Sequence, residues 1–262
     1  MFPRLLFFAL LFFASTVYGQ KKAFHLGAIA NFSSPWIINQ NNFGTLDGFN
    51  NPFARGSELD YGVTLGGGFG MIGGYNISKR HGLEFALYYD FAGQKYKGQI
   101  YQDDNLSLNF PVDVSRSVKL NYIKLPLMYK WELVPKRRSM SKKMNYYFSV
   151  GPQIAYLISV YEEVDIDNPN IGNNLAGIGE SDKFRKLDIG VILNNGIQYR
   201  INKNVYFFTS LNLYVGLIDI NGKVIRELDY FSNNDVKYRP SHSFNVALSV
   251  GVQYVFVSGG YY

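Results

Sequence analysis

Residues 241–256 read SHSFNVALSVGVQYVF. His242, Phe244, Val246, Leu248, Val250, Val252, Tyr254 and Phe256 fall on one parity, and Ser243, Asn245, Ala247, Ser249, Gly251, Gln253 and Val255 on the other. Successive side chains of an extended strand point to opposite faces, so a period of two gives one apolar and one mostly polar face. A strand of a soluble sandwich and a strand of a membrane barrel both satisfy this pattern. Compartment, repetition and length decide between them.

Compartment comes from the first residues, MFPRLLFFALLFFASTVYGQ. They combine one early cation, Arg4, with an apolar run over 5–13 and Val17-Tyr18-Gly19 ahead of Gln20, the layout of a cleaved secretory signal. An uncleaved anchor is the alternative, but the run is short for a spanning helix. The expected organisation is a signal peptide over 1–19 and one exported domain over 20–262. The absence of cysteine excludes disulfides, thiolate metal sites and cysteine nucleophiles. A formal charge of +6 spread along the chain is weak evidence for nucleic acid, and export argues against it. Aromatic residues make up 17%, almost all Tyr and Phe, a composition suited to apolar bands and membrane interfaces.

Seven further segments repeat the alternation, at 23–33, 60–77, 82–98, 117–133, 145–161, 186–201 and 205–220, which makes eight strands in all. Their proposed outward sets include Leu83, Phe85, Leu87, Tyr89 and Phe91, then Ile123, Leu125, Leu127, Tyr129 and Trp131. The links alternate without exception: short after strands two, four and six, long after one, three, five and seven. Short periplasmic turns and long extracellular loops produce that order in an outer-membrane barrel. The segments, roughly 11 to 18 residues long, also meet the roughly 9 to 11 that a tilted membrane strand needs. The expected fold is an all-β, eight-stranded antiparallel transmembrane up-and-down barrel. At that size side chains fill the interior, and an open diffusion pore is not expected.

The polar faces carry charges of both signs. One antiparallel register places Glu84 opposite Lys130 and Asp90 opposite Lys124, which predicts two interior charge pairs. The alternative is four separately solvated groups.

The strands LNYIKLPLMYKW, YYFSVGPQIAYLIS with its Gly-Pro, and LDIGVILNNGIQYRI, together with the signal peptide, resemble the PorT-like outer-membrane β-barrel proteins of Bacteroidetes over about residues 22–257. That resemblance implies a barrel in the outer membrane of a Gram-negative bacterium, from a family whose namesake is associated with type IX secretion and gliding. Gly251, Tyr254 and Phe256 also fit the G-x-x-aromatic-x-aromatic signal read by barrel-insertion machinery, although VSGGYY follows them.

The catalytic inventory is thin. His25, His81 and His242 fall at different places in the expected topology and do not form a metal cluster. His242 is flanked by Ser241 and Ser243, but neighbours on a strand face opposite ways, which disfavours a Ser–His couple within the segment. Asp165, Asp167, Asn168, Glu180 and Asp182 lack EF-hand spacing and read as a solvated loop. Gly66-Gly67-Gly68 and Gly70 precede no lysine or helix of a phosphate loop and are expected to make room for bulky inward neighbours or to ease bending. The basic run 136–143 could meet headgroups or a periplasmic partner; Trp36, Phe43, Phe49 and Phe53 could form a partner surface or pack over the mouth.

These readings converge on a non-enzymatic envelope protein without cofactor. Its expected partners are outer-membrane lipid, the insertion machinery and an envelope protein complex. A secretion or gliding component and a lipid- or peptide-modifying enzyme are the alternatives, and a soluble β-sandwich is the competing fold.

Overall fold

The computed structural model describes residues 23–39, 59–78, 80–100, 112–133, 143–166, 183–226 and 238–257. The expected signal peptide, Phe43, Phe49, Phe53, most of the basic run and the residues after Val257 lie outside them.

Nine strand segments form one antiparallel sheet: β1 (Ala23–Ile38), β2 (Asp60–Gly62), β3 (Gly66–Asn76), β4 (His81–Ile100), β5 (Val112–Leu133), β6 (Met144–Ile166), β7 (Leu187–Arg200), β8 (Val205–Gly216) and β9 (His242–Val257). β1 pairs with β3, β3 and β2 both pair with β4, and from β4 to β9 each strand pairs with the next; β9 returns to β1, so the sheet closes. The ring has eight staves, because β2 continues β3 beyond a break and pairs with β4 as β3 does. The segment expected as one strand over 60–77 is therefore interrupted at Val63–Leu65. Four residues there, 63 to 66, oppose three on β4, 92 to 94, which is a bulge.

Over the spanning part of the described strands the ring is closed and leaves no sheet edge, so backbone groups find partners without water, as a membrane requires. Among the described residues no helix is long and apolar enough to cross a membrane. The outer wall is apolar: Leu83, Phe85, Leu87, Ile123, Leu125, Leu127, Ile154, Leu193, Leu211, Leu248 and Val250 are all exposed. Tyr and Trp collect near the short-turn end, including Tyr75, Tyr129, Trp131, Tyr146, Tyr199 and Tyr254, as interfacial residues do. At that end Tyr129 Oη lies 2.6 Å from His81 Nδ1. The inward residues of the same strands are buried and mostly polar, the reverse of a soluble sandwich.

β4, β5 and β6, of 20, 22 and 23 residues, outrun the roughly 9–11 residues needed to span. Their surplus stands on the long-loop, extracellular side.

Candidate functional site: a filled interior and its extracellular cap

Three layers occupy the lumen. In the periplasmic one, Lys130 Nζ lies 3.0 Å from Glu84 Oε1 and 3.3 Å from Glu132 Oε1, and sits 4.5 Å over the Tyr147 ring. His25 Nε2 reaches within 3.6 Å of the same Glu84 oxygen. His25, Gly74 and Glu84 share one row across β1, β3 and β4. A Cβ at position 74 would stand 2.6 Å from the His25 ring and 2.4 Å from the Leu83 carbonyl oxygen, so glycine is what lets this row close.

The middle layer holds Asp90 and Lys124, with Nζ 2.5 Å from Oδ2. The Tyr88 hydroxyl donates to Gln153 Oε1 at 3.0 Å, Ser249 donates to Asn31 Oδ1 at 2.5 Å, and Asn212 donates to Ser249. Gly70 faces Tyr88, and a Cβ there would meet the Tyr88 Cβ at 2.4 Å. A cavity of about 10 Å³ remains among Asp90, Lys124, Gln153 and Asn212. That is room for one water at most, not for a ligand.

Both charged couples join the residues singled out in the sequence, but through a different register. The β4–β5 ladder is offset by two residues: Glu84 is opposite Met128, Lys130 opposite Gly82, Asp90 opposite Tyr122 and Lys124 opposite Tyr88. An offset of two keeps every side chain on its face, and each lysine spans the diagonal to its acid.

The third layer, at the extracellular end, is a second core that starts beside the Asp90–Lys124 couple. Ile37, Leu59, Tyr96, Val118, Leu120, Tyr122, Ala155, Leu157, Phe184 and Ile220 pack together, with loop residues Leu59, Phe184 and Ile220 inserted into the mouth. Beside them Glu162 is bound by Arg116 and lies 3.2 Å from Lys183 Nζ, while the Arg116 guanidinium lies 5.2 Å from the Tyr96 ring centre. A bridge between Phe184 and Asn221 ties two extracellular links together, and the helical turn α1 (Lys223–Arg226) follows it. Asp219 accepts from the Ser241 backbone N–H at 2.9 Å and from the Tyr238 hydroxyl at 2.5 Å; Asn221 donates to Ser241 Oγ at 2.9 Å. Burial and the Asp219 hydrogen bond push the Tyr238 phenol well above its ordinary value, so it stays a donor.

Sequence reasoning missed His25, Arg116, Glu162 and Lys183. Arg116 shares the inward parity of Lys124 and Lys130 and was findable. Glu162 was not. The β5–β6 register slips at Asn121/Tyr122 so that Ser159 and Leu157 are successive partners, and this extra residue inverts the parity of the rest of β6.

For catalysis, Ser243 donates to Asp188 inside the barrel while His242 lies on the opposite parity of β9. Among the described residues no three His, Asp or Glu side chains cluster as a metal site. Gly251, Tyr254 and Phe256 all lie in β9, which ends at Val257; the two aromatics face outward, their rings 4.8 Å apart.

A closed eight-stave barrel with an apolar outside, polar inside and long loops at one end defines an integral outer-membrane β-barrel protein. The chain belongs to the outer membrane protein beta-barrel domain family, which it matches over residues 20–222, and its place is the bacterial outer membrane. Among solved structures it is similar to Neisserial surface protein A (16% identity, 88% of this chain and 97% of that one, TM-score 0.43). It is also similar to OprG of Pseudomonas aeruginosa (14%, 93% and 99%, TM-score 0.35) and to Ail, the attachment invasion locus protein of Yersinia pestis (9%, 91% and 100%, TM-score 0.32). No curated protein matches the chain.

Proposed function

We propose that this barrel is a non-enzymatic binding or assembly component of the cell envelope, presenting its extracellular rim to a protein partner. The observation that carries the reading is the filled lumen: charged couples, a cavity of about 10 Å³ and an apolar cap succeed one another along the axis. Among the described residues this filling opposes transport, whereas the extended strands and the cap give the rim a packed base. Photo-crosslinkers at exposed rim positions Asp113 and Lys186 test this in intact cells, with Lys203 in a periplasmic turn as the comparison. A discrete protein adduct from the rim is expected, with no stepwise conductance when the pure protein is placed in planar bilayers. Reproducible conductance steps, or no adduct from either rim position, refute the reading.

A narrower reading places the chain among PorT-like proteins, in a secretion or gliding apparatus. Its support is the resemblance of the strands at 120–131, 146–159 and 187–201. Co-purification with a large envelope complex is its test; recovery only as a free barrel rejects it.

A further inference from the structure

The outer wall changes character where the apolar band ends on the extracellular side of β2–β5. Lys95 and Lys119 point outward there on adjacent strands, with Gly93 opposite Lys119 and Ser117 opposite Lys95. Among the described residues neither lysine makes an ion pair, and Lys119 is held against the wall with Nζ 5.1 Å from the Tyr161 ring centre. Lys97, the next lysine on β4, has Asp60 opposite it; Glu163 and Asp165 on β6 stand opposite Ser117 and Ser115. Beside the two lysines the bulge pushes Val63 and Leu65 outward to 77% and 67% exposure, and Phe91 lies one step below at 46%.

The backbone behind Lys95 is braced. Its N–H donates to Thr64 Oγ1 at 2.8 Å, and Gln94 Nε2 donates to the Lys95 carbonyl at 2.9 Å and to the Gly62 carbonyl at 2.7 Å. Gly93 has φ +152°, and a Cβ there would stand 2.1 Å from the Val118 carbonyl oxygen, so one corner of the gap between the lysines stays free of a side chain and the small Ser117 holds the other. Two cations around that gap, above protruding apolar side chains, match an amphiphile: phosphate at the headgroup level, acyl chain below.

We propose that this patch binds an anionic, phosphate-bearing lipid of the outer leaflet, with its phosphate between Lys95 and Lys119 and an acyl chain along Val63, Leu65 and Phe91. Native mass spectrometry of the detergent-purified protein, with phosphatidylglycerol or phosphatidylcholine of identical chains added, tests it. Wild type is expected to retain phosphatidylglycerol on the order of tenfold better. Lys95→Gln/Lys119→Gln loses that preference while keeping its heat-modifiable mobility, and Lys203→Gln keeps it. Val63→Ser/Leu65→Ser weakens retention of both lipids. Equal retention of the two lipids by wild type overturns the proposal without reference to any variant. So does an unchanged preference in the double lysine variant, or inorganic phosphate displacing the lipid at equal concentration.

Discussion

Lys130→Met is the sharpest test of the interior. Lys130 is 1% exposed and 3.0 Å from Glu84, which is itself buried. Methionine keeps most of the volume but removes the ammonium, so Glu84 is left with His25 at 3.6 Å as its neighbouring ring nitrogen. Removing one partner of a buried pair costs about 3–5 kcal/mol, because the remaining charge stays desolvated. Loss of the Lys130–Tyr147 contact adds to this by up to about 2 kcal/mol when desolvated. Replacing both partners removes the stranded charge, so Glu84→Gln/Lys130→Met is expected to cost less than the sum of its single substitutions by about 0.5–3 kcal/mol. Reversible urea unfolding of the refolded protein in detergent micelles, followed by tryptophan fluorescence and by heat-modifiable mobility, gives each value from a linear extrapolation. A Lys130→Met loss below about 1 kcal/mol would place the pair among screened, weakly coupled charges. Strict additivity in the double variant would likewise refute the claim that Lys130 serves Glu84.

Leu125→Arg sets a charge on the outer wall and is expected to cost about 2–4 kcal/mol if that wall meets lipid at the bilayer midplane; a change within about 0.5 kcal/mol in the same urea titration would mean that water covers Leu125. Gly74→Val drives a side chain into the His25 ring and the Leu83 carbonyl, and should abolish the heat-modifiable band; normal folding of this variant would refute the close row. Glu162→Gln removes the carboxylate shared by Arg116 and Lys183. It should raise the rate at which added protease cuts the extracellular links in whole cells several-fold, with the barrel itself left resistant. Unchanged cutting would show that the ion cluster does not hold the cap.

The lipid-facing half of the molecule was legible because one physical condition governs it throughout. Lipid outside and a narrow lumen inside make parity a reliable label, and the outward sets from Leu83 to Phe91 and from Ile123 to Trp131 follow from counting alone. Counting does not fix register beyond its parity. Glu84 and Asp90 find Lys130 and Lys124 in a ladder two residues from the expected one, because a lysine side chain is long enough to reach a diagonal partner.

Above the membrane the governing condition changes, and the two bulges stand where it does. The slip beside Ser159 and the break at Val63–Leu65 flank the same level of the wall, since Ser159 opposes Asn121, Asn121 opposes Phe91 and Phe91 opposes Gly67. Each inserts one residue and inverts the parity beyond it. In β6 this turns Glu162 inward to Arg116 and Lys183; ahead of β2 it accompanies Leu59 packed into the apolar cap. Below that level a polar residue belongs inside and an apolar one outside. Above it the wall passes through the headgroup level into water, so the lumen can hold an ordinary apolar core with one buried ion cluster. A sequence read with a single parity from end to end passes through this boundary without registering it. The pairing of Gly93 at φ +152° with the adjoining Thr64 and Gln94 bracing marks the boundary only once the strands are brought together. The barrel thus joins a membrane anchor, whose pattern lipid dictates, to an extracellular head whose packing is that of a small soluble domain.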